Sequence, residues 1–456
     1  MQTETIFLKP YLNKYFRKNT KKKDLKIIFK SFFYFYKVLC PINTRMKKTI
    51  AFNPLSMPTY VMAKPIGSSC NLNCDYCYYL EKEKLYENRK SLQMNDEILE
   101  KYIESYIQAQ PVPEVLFTWH GGETLLRDLA FYRKVLTLQK KYGRGRKIDN
   151  TLQTNGVLLN DEWCRFFKDN NFLIGISIDG PEHCHDIYRK NKGGLGTFKQ
   201  VMRGVELLQK HQVDFNTLSV INDYNVDYPI EVYNFFKEIG SQYMQFSPIV
   251  EQMSQSRADG LNLTPPEGAD DAVLAPWTVD SKKFGQFYIS MFDEWIKKDV
   301  GKYFVQLFDS TLAGTVGEMP SVCIFGETCG HATVMEFNGD VYACDHFVFP
   351  EYKIGNIKTH TIFEMVFSEK QLRFGADKRD LLPSQCRNCQ FLKMCNGECP
   401  KNRINFTSTG EPGLNYLCEG YYSFFKHTQP YMEFMANELF FKRSPANVME
   451  WARTRK

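Results

Sequence analysis

Eleven of the fourteen cysteines in this 456-residue sequence fall into two groups, and their spacing limits the chemistry they can do. Ser69-Cys70-Asn71-Leu72-Asn73-Cys74-Asp75-Tyr76-Cys77 sets three thiolates in C-x3-C-x2-C order. A [4Fe–4S] cube takes one ligand on each of four irons. Three cysteines in one short loop hold three corners and leave the fourth iron open, as a reactive metal centre requires. The alternative is a zinc knuckle, with His120 or a distant cysteine as fourth ligand. The second group runs Cys323-x5-Cys329-x14-Cys344, then Cys386-x2-Cys389-x5-Cys395-x3-Cys399, then Cys418 after eighteen more residues. Eight thiolates satisfy two fully ligated [4Fe–4S] clusters or two four-thiolate zinc sites, and C-x2-C alone does not separate these. Cys40, Cys164 and Cys184 stand apart and read as inert thiols, Cys40 within an N-terminal extension.

The elements that must position these groups alternate. Strands are expected at Tyr60–Lys64, Val115–Trp119, Asn150–Thr154, Ile174–Ile178, Phe215–Val220 and Met244–Ser247. Amphipathic helices are expected between them at Asp96–Ala109, Phe131–Lys141, Asp161–Asp169, Thr197–Lys210 and Pro229–Ile239. Such alternation predicts an α/β fold with a parallel sheet and right-handed crossovers, open or curled into part of a barrel. The cysteine loop, Gly121-Gly122-Glu123, Gln153-Thr154-Asn155-Gly156 and Asp179-Gly180 all fall at strand C-terminal ends, the working face of α/β barrels. Residues 252–276 read as an irregular connection, followed by a helix at about Phe284–Asp299. A hairpin pairs Val334–Phe337 with Asp340–Cys344 through Asn338-Gly339. An aromatic helix over Tyr421–Leu439 closes the pattern.

The chain is too long for one ordinary core, so it is one large barrel or two to three domains. No run of about 18 consecutive apolar residues predicts a membrane span. The formal charge of +6 is local: residues 1–50 carry 13 Lys/Arg against Glu4 and Asp24, leaving 6 − 11 = −5 for residues 51–456. Nucleic-acid binding therefore gains no support from charge. Clustered cysteines without a secretory signal point to a metal and a reducing, cytoplasmic compartment. Residues 1–56 read as a basic, non-catalytic extension, 57–285 as the catalytic core, 286–440 as a Cys-rich domain, and 441–456 as a tail.

The three-cysteine loop with Tyr76, followed by Gly121-Gly122-Glu123, resembles the radical S-adenosylmethionine superfamily, which implies a partial (β/α)6 barrel. Thr124 stands where that family usually has proline, a departure expected to touch loop stiffness only. The pattern from Cys329 through Gly339 to Cys418 resembles the SPASM extension, which would make the whole an α/β core followed by a Cys-rich iron–sulfur domain and a C-terminal helix. Val115–Glu123, Ile176–Pro181, Gly330–Tyr352 and Cys395–Arg403 narrow the resemblance to the anaerobic sulfatase-maturating enzymes of the Bacteroides type. What the resemblance implies is specific. Cys70, Cys74 and Cys77 would hold one [4Fe–4S] cluster, Cys323, Cys329, Cys344 and Cys399 a second, and Cys386, Cys389, Cys395 and Cys418 a third. Tyr76, Gly122, Ser177, Arg189 and Val250 would touch S-adenosylmethionine, the second cofactor.

Each of those contacts has a plainer reading: core packing for Tyr76 and Val250, a turn for Gly122, a backbone hydrogen bond for Ser177, a surface ion pair for Arg189. Gly121 and Gly122 are not separable. His120 would face the active site or sit as a satisfied core histidine. Asp345, directly after Cys344, is the best acid/base candidate and matches the family's proton acceptor; the alternative is a surface carboxylate. The expected activity is oxygen-independent oxidation of a Cys or Ser to Cα-formylglycine by a 5′-deoxyadenosyl radical, with an auxiliary cluster as electron acceptor. The expected partners are an unfolded or nascent sulfatase polypeptide bearing a Cys/Ser-x-Pro/Ala-x-Arg motif and a low-potential donor of the flavodoxin or ferredoxin class, with no nucleic acid and no membrane. Two other readings stand beside it: a SPASM enzyme that cross-links or epimerises a peptide, and a non-catalytic zinc or iron–sulfur module.

Overall fold

The computed structural model describes residues 58–86, 92–257, 259–267 and 270–454. The expected extension, with Cys40, lies outside them. Six parallel strands form first: β1 (Tyr60–Ala63), β2 (Glu114–Trp119), β3 (Lys147–Thr154), β4 (Leu173–Ser177), β5 (Phe215–Ile221) and β6 (Tyr243–Pro248). Five helices cross between them: α1 (Asp96–Gln108), α2 (Leu129–Gly143), α3 (Asp161–Asp169), α4 (Phe198–Lys210) and α5 (Pro229–Glu238). Local chemistry starts three of these helices. Asn95, Asp128 and Asn160 each accept the backbone N–H three residues on, satisfying a donor the helix leaves orphaned.

The strands lie side by side in chain order, and the sheet extends past both ends of the six. The strand β10 (Phe304–Val305) pairs parallel to β6, and β11 (Ala332–Met335) pairs parallel to β1 through Tyr60↔Ala332 and Ala63↔Met335. The antiparallel strands β12 (Asp340–Tyr342) and β13 (Lys353–Asn356) complete a ten-stranded sheet. The partial barrel is thus confirmed and is wider than the sequence predicted. The Asn338-Gly339 hairpin forms as expected and is bonded to the barrel's first strand.

Alternation along the strands separates two faces. Phe117, Trp119, Leu152, Ile174 and Ile176 belong to the core beneath the helices, joined by Tyr102, Tyr132, Trp163 and Phe167. Met62, Val334 and Tyr342 form a small cluster on the other face. That inner face becomes polar toward the strand C-terminal ends: Lys64, His120, Gln153 and Ser177 are all buried there.

Within 252–276 the structure has three two-residue strands, β7 (Gln252–Met253), β8 (Leu263–Thr264) and β9 (Val273–Leu274). Strands of two residues carry no readable period, which is why the sequence shows only an irregular connection. The helix α6 (Ser281–Lys298) starts at its Asp280 cap and runs across the expected 285/286 boundary. It packs against α7 (Gln306–Thr315) and α8 (Cys418–Phe440) through Phe292, Phe308 and Phe424. The aromatic helix α8 starts three residues earlier than expected, so Cys418 opens it. No helix among the described residues is long and apolar enough to cross a membrane.

Candidate active site

The cysteine loop leaves β1 and is pinned from two sides. The Asn73 and Asp75 N–H groups donate to the Lys190 and Tyr188 carbonyls at 2.8 and 3.0 Å. On the other side the Gly122 and Glu123 N–H groups donate to the Gly67 and Ser69 carbonyls, both at 2.8 Å. A Cβ at Gly122 would lie 2.0 Å from the Ser69 oxygen, so only glycine lets the two backbones meet. Gly122 therefore abuts the cysteine loop itself. Glu123 is fully buried and accepts from Thr154 Oγ1, Asn155 N and Leu125 N at 2.7, 2.8 and 2.9 Å. Thr124 donates from Oγ1 to the Gln153 carbonyl at 2.5 Å, a bond that proline could not make. Asn155 turns its Nδ2 toward Asn71 Oδ1 (2.8 Å) and Cys70 Sγ (3.8 Å).

Cys70, Cys74 and Cys77 are unbridged thiols facing one another. Burial, with Glu123 next, pushes Cys70 up to about 12; burial does the same to Cys74 despite nearby Arg189. A bound cation must offset that cost before these sulfurs ionise. Among the described residues no three Cys, His, Asp or Glu side chains close on one point as a single ion demands. A cube does not ask for this, because its ligands sit on separate irons. Polar groups near the loop also stand ready for a ligand: Ser68 Oγ and Gln153 Oε1 are buried without a hydrogen-bond partner. Leaving such groups unpaired costs about 1–3 kcal/mol each, so a polar ligand placed against them would be favoured.

Tyr76 and Arg189 converge on a residue the sequence had marked only as part of a motif. Asp179 accepts the Tyr76 hydroxyl at 2.5 Å, the Val220 N–H at 2.9 Å and Arg189 Nη2 at 3.0 Å, with Arg189 Nε 2.9 Å away. That leaves guanidinium donors for a ligand. Ser177, at the end of β4, accepts from Gln153 Nε2 at 2.7 Å. Val250 sits in the core, and its carbonyl is held by the Lys401 ammonium, which also lies 2.7 Å from Glu251 Oε1.

Asp345 is buried, not a surface carboxylate. Lys64 Nζ, at the end of β1, stands 2.5 Å from its Oδ1, and the Tyr78 hydroxyl donates to its Oδ2 at 2.6 Å. Burial works to raise its pKa, but its neighbours, the Lys64 ammonium foremost, outweigh that and hold it well below the carboxylate range. The Lys64 ammonium also lies 3.3 Å from the Tyr79 ring centroid, while the Tyr79 hydroxyl donates to Glu336. Lys64 and Tyr78 are the site residues that the sequence does not single out, and Asp179 enters it only as part of a strand-end motif. The usable signal for Lys64 was a lysine closing an otherwise apolar strand just before the cysteine loop. His120 is buried and lowered to about 3, chiefly by burial. Cys164 and Cys184 are fully buried.

The second cysteine group splits in space. Cys344 lies near Cys399 and Cys329, and Cys399 near Cys329. Cys395 lies near Cys418 and Cys386, and Cys418 near Cys386 and Cys389. Cys323 adjoins the first set: the buried Lys378 ammonium donates to the Cys323 and Ile324 carbonyls at 2.7 and 2.8 Å and is a neighbour of Cys399.

A partial barrel with a three-cysteine loop at its working face, followed by a second cysteine-rich unit, defines a radical S-adenosylmethionine protein with an auxiliary iron–sulfur domain. Residues 65–236 match the radical SAM superfamily and residues 323–390 match the SPASM iron–sulfur cluster-binding domain. The chain is 56% identical over 403 residues to the serine-type anaerobic sulfatase-maturating enzyme of Bacteroides thetaiotaomicron, covering 88% of this chain and 97% of that one. It is 30% identical over 389 residues to the cysteine-type enzyme of Clostridium perfringens, covering 84% and 99%. A solved structure described as native anSMEcpe with bound AdoMet and Cp18Cys peptide superposes with a TM-score of 0.71 at 30% identity, over 83% of this chain and 99% of that one. The chain belongs to the anaerobic sulfatase-maturating enzymes.

Proposed function

We propose that this enzyme matures sulfatases without oxygen, oxidising a Ser or Cys side chain to Cα-formylglycine. The observation that carries the reading is the buried Asp345, fixed by Lys64 and Tyr78 at the mouth of the cysteine loop. Family membership supports three [4Fe–4S] clusters and S-adenosylmethionine as cofactors, with cluster ligands Cys70, Cys74 and Cys77; Cys323, Cys329, Cys344 and Cys399; and Cys386, Cys389, Cys395 and Cys418. When bound, these groups supply the 5′-deoxyadenosyl radical that takes a hydrogen atom from the target Cβ and an acceptor for the electron released.

The chain's own residues do the rest. Arg189, held by Asp179 beside the Tyr76 ring, presents its remaining donors to the cofactor carboxylate. The Gln153–Ser177 pair offers a hydroxyl and an amide oxygen to the cofactor's polar end, and Gly122 keeps the cysteine loop close. Val250 supplies apolar contact. Asp345 takes the proton from the target hydroxyl or thiol. Lys64 and Tyr78 fix the direction of its carboxylate and keep it ionised. Loss of one hydrogen atom, one proton and one electron converts the alcohol to the aldehyde.

The likeness to the serine-type relative favours serine as the first substrate to test. The partner would be an unfolded or nascent sulfatase carrying a Cys/Ser-x-Pro/Ala-x-Arg motif, the electron donor a flavodoxin or ferredoxin, and the compartment the cytoplasm. The test is anaerobic incubation with S-adenosylmethionine, reductant and paired Ser and Cys peptides, followed by mass analysis. Loss of two hydrogens from the Ser peptide supports the reading. Cleavage of S-adenosylmethionine with both peptides unchanged overturns it.

A further inference from the structure

The three residues between Cys395 and Cys399 adopt a backbone found nowhere else among the described residues. Asn396, Gly397 and Glu398 have φ of 47°, 70° and 53°, three left-handed residues in succession. Side chains disfavour this region, and such conformations persist only where the surroundings over-determine them. The reason for the turn is what it encloses. Its carbonyls converge on the Arg403 guanidinium: Nη2 donates to Asn396 O at 2.9 Å and Glu398 O at 3.4 Å, and Nε to Gly397 O at 3.0 Å. Nη1 donates to Lys378 O at 2.6 Å. A Cβ at position 397 would lie 2.7 Å from Nη2, so glycine alone admits the guanidinium.

All four hydrogen bonds go to neutral carbonyls, and the acidic neighbour, the fully buried Glu398, has its pKa raised by burial toward the neutral form. The thiols around it are Cys329 and Cys399 of one set and Cys386 of the other. The turn itself runs from Cys395 of the second set to Cys399 of the first. One fixed cation thus stands between the two auxiliary sites, on the shortest stretch of chain that joins them.

We propose that Arg403 is an electrostatic bridge between the two auxiliary clusters, stabilising the reduced form of each and setting their potentials as a pair. The inference rests on the ligand sets given above. Each cluster becomes more negative by one charge when reduced, so a shared cation raises both potentials. When the electron released by the reaction passes from one auxiliary cluster to the other, the first is oxidised and the second reduced by one electron, with no atom transferred. Arg403 is a positioning residue in this scheme. It touches neither substrate nor S-adenosylmethionine.

The experiment uses the full chain carrying Cys70→Ala, Cys74→Ala and Cys77→Ala, so that the auxiliary clusters are seen alone. Iron analysis comes first: about eight irons per chain are expected from two cubes, and fewer would count against the ligand sets rather than against Arg403. Arg403→Gln is then compared with the unmodified background by redox titration followed by electron paramagnetic resonance. Both midpoints should fall, each by at least tenfold in the reduction equilibrium, about 59 mV for one electron. Arg403→Lys, which keeps the charge, should restore both. A fall in one midpoint or in neither overturns the proposal. Where Arg403→Gln loses iron, Arg403→Lys decides: full iron with both midpoints restored supports the bridge, and loss of iron there too makes Arg403 a structural clamp and overturns it.

Discussion

Lys64 and Asp345 are 281 positions apart in sequence, yet Lys64 Nζ and Asp345 Oδ1 stand 2.5 Å apart, both nearly inaccessible to solvent. The pairing of β1 with β11 creates this contact, because it lays the β11–β12 hairpin beside β1, and the chain leaving β12 through Cys344 carries Asp345 within reach of the Lys64 side chain. Tyr78 completes it from the cysteine loop. Asp345, its neighbour Cys344 and the three-cysteine loop are thereby held together.

Asp345→Asn removes the acceptor while keeping shape and hydrogen-bond reach. We expect all three clusters and S-adenosylmethionine cleavage to survive, with formylglycine formation falling by about 100-fold or more. The loss should be at least as severe for a Ser peptide, whose hydroxyl is the weaker acid. Product at close to the unmodified rate would place the base elsewhere.

Lys64→Met strands a buried carboxylate, and breaking a buried pair from one side costs on the order of 3–5 kcal/mol. The double variant Lys64→Met/Asp345→Asn should recover much of that, because neither charge then remains unpaired. Chemical denaturation of the two single variants and the double variant gives the coupling directly; additive losses would mean that the pair is not coupled.

Removing Cys70, Cys74 and Cys77 together should lower the iron content from roughly twelve to roughly eight per chain and abolish S-adenosylmethionine cleavage. Iron and sulfide analysis of anaerobically prepared protein checks this. Stoichiometric zinc in place of iron would sink the cluster reading.

His185 makes the fold acid-sensitive. Its ring is fully buried beside the Asp179 N–H and Thr197 Oγ1. Burial, with Arg189 next, lowers it to about 3. The unfolded histidine takes its proton near pH 6.5, while the folded one stays neutral, so this stability is complete above pH 6.5 and is lost as pH falls toward 3. Between pH 7.5 and 5.5 the loss should be about 1 kcal/mol. His185→Gln should flatten that part of the pH dependence; denaturation curves with an unchanged slope would assign the sensitivity to other groups.

Much of the architecture was legible in the sequence because parallel strands and amphipathic helices are periodic objects. All six strands of the barrel and all five crossover helices fall where the alternation put them, and α3 does so to the residue. The cysteine count and spacing likewise narrowed the chemistry to metal binding, and the motifs around the three-cysteine loop pointed from zinc to iron–sulfur. Strands β7 to β9 escaped notice because two residues show no period.

What only the tertiary structure decided concerns partners separated by hundreds of residues. Nothing local to Asp345 says that a lysine on the first strand will neutralise it, because that contact depends on which sheet edge the hairpin joins. Nothing local to Arg189 or Tyr76 says that both will converge on Asp179, since that takes a loop from β1 laid across the end of β4. The left-handed turn around Arg403 is only partly visible in Asn396-Gly397-Glu398, where the glycine and the asparagine tolerate positive φ but the glutamate does not. Composition and periodicity report what a segment can form; which charges end up facing each other inside the barrel is set by the packing of the whole sheet.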